Sequence, residues 1–228
     1  MLMRYILAAA RRVFGRKDGA YDPVRYWNMR LDPNTDLGKV PERVDFDANY
    51  IRANITPGDR LLELGPGVGR TFASYSPGTN VSTLEISRMY EDQLAKVAAD
   101  NNLTLDQHYL DDTSKPFPFV DKQFDVGVCI QVFIHQPPEV FRHSFSELAR
   151  VCRKCVISVG NHTNTPRNAP GKAPHVFRHD YITESGKNGK VMHNLLARDQ
   201  VLYFTLEDDT RNLWLGEFQQ NKYGRSMK

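Results

Sequence analysis

The sequence predicts a doubly wound α/β domain, a mainly parallel seven-stranded sheet ending in an antiparallel hairpin and preceded by an N-terminal helical lead-in. Three observations carry that expectation. Between residues 57 and 160 short apolar runs alternate with amphipathic helical stretches, the pattern of a parallel sheet covered on both faces. Two further β-like runs, Val201 to Leu206 and Asn212 to Phe218, flank a polar turn containing Asp208 and Asp209 and read as a hairpin on the sheet edge. A chain of 228 residues, 40% of them apolar, suffices for one such domain with additions but is short for two.

The elements follow in order. Residues 1–55 form a polar, aromatic, proline-punctuated lead-in, with a helix expected around Val44 to Asn54. Its first 17 residues carry Arg4, Arg11, Arg12, Arg16 and Lys17 and no acid, interleaved with apolar residues in a loosely amphipathic helix. That helix either docks on the body or meets a membrane surface or RNA. Residues 56–220 are expected to form the sheet domain and 221–228 a frayed tail. The first strand, Arg60 to Gly65, follows the turn Pro57-Gly58-Asp59 and breaks at Gly65-Pro66-Gly67-Val68-Gly69 into a short helix at Thr71 to Tyr75. A second strand spans Val81 to Ile86, and the helix from Ser87 places Tyr90, Leu94 and Val97 on one face. Strands at Leu105 to Leu110 and Phe124 to Val132 come next. A helix opening at Pro137-Pro138, where proline suits a first turn, repeats Phe141, Phe145, Leu148 and Cys152 at helical spacing and leads to a strand at Cys155 to Val159. A polar loop, Asn161 to Ala173, and a helix near Gly189 to Arg198 precede the hairpin.

Composition narrows the function. With 30 basic and 27 acidic residues the net charge is +3, too balanced for an electrostatic nucleic-acid binder, so a nucleic-acid partner is not expected. The longest clean apolar run, Tyr5 to Ala10, is far below a membrane span and too short for a signal peptide, which points to a cytoplasmic protein. Three cysteines argue against a disulfide framework, and Cys152-x-x-Cys155 lacks the second pair that a zinc site would need. No metal is expected.

The chemistry concentrates after the first strand. Gly65, Gly67 and Gly69 sit where main-chain N–H groups can approach a ligand closely. A nicotinamide-cofactor turn wants glycine at the sixth position, where this chain has Arg70. Glu63, beside the glycines, suits a cationic ligand better than a pyrophosphate. Glu85, at the carboxyl end of the second strand, stands where such sheets place a carboxylate to accept both hydroxyls of a ribose, so a nucleoside is expected.

Glu63-Leu-Gly65-Pro-Gly67-Val-Gly69 followed by Leu84-Glu85 resembles the cofactor site of class I S-adenosylmethionine-dependent methyltransferases, and the likeness extends over residues 57–160. The resemblance implies a Rossmann-like fold, S-adenosylmethionine as cofactor and a small-molecule or glycan acceptor; the alternative is a catalytically silent nucleoside-binding partner. It implies an adenine-facing role for Asp111 or Asp112, a place for Gln131 at the methionine end of the cofactor, and a place for His135 near the acceptor. Tyr26-Trp27-Asn28-Met29-Arg30 is similar to an element that in some relatives closes over the cofactor carboxylate, making Arg30 a cofactor residue and the lead-in a lid. For a hydroxyl acceptor, His135 or His179 is a candidate base, although His135 either caps the strand or faces the acceptor, and His179 either faces it or packs locally. Against a nucleic-acid methyltransferase, the positions of an Asn-Pro-Pro-aromatic motif read Ile134-His135-Gln136-Pro137-Pro138. Neither the acceptor nor the oligomeric state is legible.

Overall fold

The computed structural model describes residues 21–29, 41–160, 175–198 and 201–208. Two helices, α1 (Pro23–Asn28) and α2 (Pro41–Arg52), precede the sheet. Then come β1 (Leu61–Leu64), a 3₁₀ turn at Phe72–Ser74, β2 (Asn80–Glu85), α3 (Glu91–Asp100), β3 (Thr104–Tyr109) and β4 (Phe124–Ile130). A second 3₁₀ turn (Phe133–His135), α4 (Pro138–Val151), β5 (Cys152–Gly160), α5 (Tyr181–Lys187), β6 (Lys190–Arg198) and β7 (Val201–Asp208) complete the order.

The strands form one seven-stranded sheet in the order β3-β2-β1-β4-β5-β7-β6. The first five are mutually parallel, and β7 runs antiparallel to both β5 and β6. Successive strands move outward from β1 toward β3, and then the chain returns to β4 on the other side of β1. The ends of β1 and β4 therefore flank a switch point, where open α/β sheets leave a crevice.

Strand alternation divides the core in two. Leu62 and Leu64 pack on one face with Phe133, Phe141, Phe145 and Leu148, whereas Leu61 packs on the other with Ile51, Phe72, Leu94 and Tyr203. Because both faces are covered, β1 and β4 are buried along nearly their whole length and read in sequence as continuous apolar runs. No described helix is long and apolar enough to cross a membrane.

At the far end of the sheet from the switch point, the buried Lys190 Nζ donates to Cys152 O at 3.1 Å and Arg153 O at 2.9 Å and pairs with Asp208 at 2.8 Å. It ties β6 and β7 to the junction between α4 and β5. The thiols of Cys129, Cys152 and Cys155 are all free and buried.

One expectation is corrected. Gly189 to Arg198 is not helical: Lys190–Arg198 is the edge strand β6, and the hairpin partner of Val201–Asp208 precedes it. A bulge between His193 and Leu196, with Asn194 at φ +50°, interrupts the alternation and leaves Val191, Met192, Leu195 and Leu196 at the i, i+4 spacing of a helix. The run Asn212 to Phe218, the basic helix of residues 1–17 and the tail 221–228 lie outside the described residues. Helix α5 is an element that periodicity misses. Its start is marked by Asp180, whose Oδ1 accepts the Thr183 N–H at 3.2 Å.

Candidate active site

At the carboxyl end of β1 the chain enters the glycine turn, where Gly65, Gly67 and Gly69 all have positive φ. The three glycines meet different neighbours. A Cβ on Gly65 would lie 2.6 Å from Val132 Cγ2, so this glycine lets β1 and the segment after β4 approach each other. A Cβ on Gly67 would meet nothing within 4 Å. Gly67 alone of the three therefore presents bare main chain to open space, the form of a cradle for a ligand.

That space is a cavity of about 450 Å³, bordered by Gly65 to Val68, Glu85, Gln131, His135 and the lead-in residue Trp27. Its size lies in the range of small-molecule sites. Glu85 Oε2 accepts the Gly67 N–H at 3.3 Å, and Oε1 accepts from Ile86 N at 2.7 Å and Ser87 N at 3.3 Å. Burial raises its pKa and these three N–H donors oppose the rise. A carboxylate so held is fixed in direction and keeps accepting capacity for a ligand on the cavity side.

Gln131 lies at the end of β4 with φ +64°, its amide N–H bonded to Ser158 O at 2.8 Å and its Nε2 to Ser158 Oγ at 3.0 Å. This left-handed residue breaks the strand and turns the chain into the second 3₁₀ turn, so β4 ends at Ile130, two residues earlier than expected. His135 closes that turn. Its Nδ1 contacts His175 O at 3.2 Å, its ring stacks at 5.3 Å on that of His175, and Trp27 meets it edge-on at 5.1 Å. A carbonyl partner requires a proton on Nδ1, which leaves Nε2 as the basic nitrogen of the neutral ring. Helix α1 borders the cavity through Pro23 and Trp27, and its Asn28 Nδ2 donates to Ile86 O at 3.3 Å.

Several predicted site residues stand elsewhere. Glu63 does not border the cavity: it shares the Leu61 face of β1, is 2% exposed, and accepts from Thr71 Oγ1 at 2.5 Å and Tyr75 OH at 2.6 Å. Burial pushes its pKa up, against those two hydroxyls. Those bonds tie β1 to the segment that follows the glycine turn. Asp111 and Asp112 are exposed and do not border the cavity; Asp112 Oδ1 is taken by Ser114 N and Oγ, while the next residue, Thr113, does reach the wall. His179 lies behind the second 3₁₀ turn, stacked at 3.9 Å on Phe141 with Nε2 3.0 Å from Phe133 O, and does not border the cavity. Its burial lowers its pKa to about 4. Arg30 lies outside the described residues.

Two cavity residues escaped the sequence. Arg70, read only as a missing glycine, pairs through Nη1 with Asp47 of α2 at 2.7 Å, and Asp47 also accepts from Tyr203 OH of β7 at 2.8 Å. A signal existed: Asp47 falls between Val44 and Ile51 on the buried stripe of α2, where a carboxylate needs a partner.

Comparison with known proteins bears on the fold and the family. A family model described as a methyltransferase domain matches residues 61–155. A curated relative, the methyltransferase phqN of Penicillium fellutanum, is 26% identical over 127 residues, 54% of this chain but only 38% of the relative. Among solved structures, the PH0226 protein of Pyrococcus horikoshii OT3 superposes with a TM-score of 0.62 at 15% identity, covering 78% of this chain and 97% of that one. Magnesium protoporphyrin IX methyltransferase of Synechocystis PCC 6803, solved with bound S-adenosylhomocysteine, gives 0.56 at 18% identity over 89% of this chain and 94% of that one. Residues 61–155 thus match a methyltransferase-domain family, and the sheet has the Rossmann-like fold of the S-adenosylmethionine-dependent methyltransferases.

Proposed function

We propose that the protein binds S-adenosylmethionine in this cavity and transfers its methyl group to a small-molecule acceptor at the β4 end. The observation that carries the reading is the pairing of an unobstructed Gly67 with Glu85 at the ends of β1 and β2. The cofactor, when bound, supplies a methyl group already activated by a sulfonium charge. The chain's own part is placement. The Glu85 carboxylate, fixed by the Gly67 N–H, holds the nucleoside half by accepting the ribose hydroxyls, and the bare main chain at Gly67 leaves room for the cofactor to come close. Gln131 borders the methionine half. Helix α1 covers the site through Trp27 and Asn28 and excludes water from the line of transfer.

Alignment of the two reactants contributes up to about 7–11 kcal/mol to a displacement of this kind. For a hydroxyl acceptor, His135 takes the departing proton on Nε2, its ring held by the His175 carbonyl and by Trp27. His179, without a face on the cavity, has no part in that step. Phosphate-bearing dinucleotides fit poorly, because Arg70 is engaged with Asp47. Isothermal titration with S-adenosylmethionine and S-adenosylhomocysteine tests the reading: saturable 1:1 binding of both supports it, and no binding of either by the folded protein ends it.

A further inference from the structure

We propose that Arg70 is a ligand-binding residue, the Nε and Nη2 edge of its guanidinium taking the α-carboxylate at the amino-acid end of S-adenosylmethionine. The inference deepens the methyl-transfer reading and rests on it, naming the group in this chain that meets that end of the cofactor.

A guanidinium offers a carboxylate a fork through Nε and Nη2, whose N–H groups point the same way. Elsewhere in this chain the fork is used so. Arg60 holds Asp125 through Nε at 2.9 Å and Nη2 at 3.0 Å, and Arg150 holds Glu147 through Nε at 2.9 Å and Nη2 at 2.7 Å. Arg70 departs from that pattern. Asp47 Oδ2 meets it at Nη1, 2.7 Å away, and the forked edge has no hydrogen-bond partner among the described residues. The side chain is 17% exposed and borders the cavity, and neither Nε nor Nη2 is sealed from solvent. The open fork can therefore be reached.

Asp47 is held where it is. It is 1% exposed on α2, and its other oxygen, Oδ1, accepts from Tyr203 OH of β7 at 2.8 Å. With both oxygens engaged it stays at Nη1 and leaves the fork uncovered. A guanidinium so deeply set, with two donors unused, calls for an acceptor from what enters the cavity.

Charge selects that acceptor. Asp47 and Arg70 cancel, so the pair suits a group that is neutral overall but presents an anionic end. A pyrophosphate, with two uncompensated charges, does not meet that condition. The nucleoside half of the cofactor is committed to Glu85, whose oxygens are directed by Gly67, Ile86 and Ser87. What remains is an α-amino acid, a carboxylate beside its own ammonium, and two carboxylate oxygens match the two donors of the fork.

Calorimetry on the full chain with three probes tests this. The probes are S-adenosylmethionine, its decarboxylated analogue, which keeps the sulfonium and the ammonium, and 5′-methylthioadenosine, which lacks the whole amino-acid end. The wild type should bind S-adenosylmethionine about 10–100-fold more tightly than the decarboxylated analogue. Arg70→Met should bring those two within a few fold of each other and leave methylthioadenosine unchanged, a pattern that general damage to the cavity would not give. Where Arg70→Met alone does not fold, the double variant Asp47→Leu, Arg70→Met takes its place with the same expectation. Equal affinity of the wild type for the first two probes, a preference kept in full without Arg70, or an equal loss for all three probes overturns the inference and leaves cofactor binding standing. Absence of S-adenosylmethionine binding by the wild type instead removes the methyl-transfer reading itself, and the inference with it.

Discussion

Arg70 Nη1 lies 2.7 Å from Asp47 Oδ2, so the residue that ends the glycine turn is fastened to helix α2, whose carboxylate is in turn bonded to Tyr203 of β7. Three segments far apart in sequence meet on one nearly inaccessible carboxylate. Asp47→Ala would leave a guanidinium only 17% exposed without its partner, and we expect a loss of about 3–5 kcal/mol, read as a lower urea midpoint at unchanged slope. The double variant Asp47→Leu, Arg70→Met should regain most of it. A double variant as unstable as the single one would show that the pair's charge is not the cause.

Glu85→Ala should weaken S-adenosylmethionine binding roughly 10²-fold or more, because two charge-assisted hydrogen bonds to the ribose are worth about 1.5–3 kcal/mol each. Calorimetry on the folded variant decides, and equal affinity would remove the ribose from Glu85.

Gly67→Val should abolish cofactor binding and keep the native circular dichroism spectrum, since the new side chain enters open cavity and not the core. The positive φ of 55° adds local strain, so a modestly lower melting temperature is expected as well. Normal binding by this variant would reduce the loop to a turn.

His135→Ala should leave cofactor affinity within a few fold while turnover on a hydroxyl acceptor falls about 10²–10⁴, and the pH profile should lose its acidic limb. Weakened binding with full turnover at saturation would place His135 in the cofactor shell.

His179 should affect stability. Its folded pKa of about 4 lies below the ordinary value near 6.5, so the unfolded chain binds the extra proton first. The stabilising contribution is complete above about pH 6.5 and declines as pH falls toward 4, by about 3 kcal/mol in all. Urea titrations of wild type and His179→Phe across pH 4–7 should differ in slope over that window. Parallel curves would assign the acid sensitivity to other groups.

The parallel strands were legible because a strand covered on both faces must be apolar at every position, as Leu61 to Leu64 nearly are. The glycine turn and Glu85 were legible because each is fixed by a local requirement of the strand end. Strand β6 was not, since a single left-handed Asn194 moves its apolar residues to helical spacing. Glu63 misled for a different reason: two positions from the turn in sequence, it is turned away from the cavity by the alternation of β1. The buried stripe of α2 signals that Asp47 needs a partner, but that the partner is Arg70 depends on a contact between distant segments, which no local pattern records.

The three shielded thiols give the chain a built-in clock. An alkylating reagent reaches Cys129, Cys152 or Cys155 only when the sheet opens, and Lys190 holds the junction that contains the last two shut. Under conditions where reclosing outpaces modification, the labelling rate reports the equilibrium population of open molecules; where modification is faster, it reports the opening rate. Mass spectrometry that separates Cys129 from the Cys152 and Cys155 pair would then show whether the centre of the sheet and its hairpin side part together or in sequence.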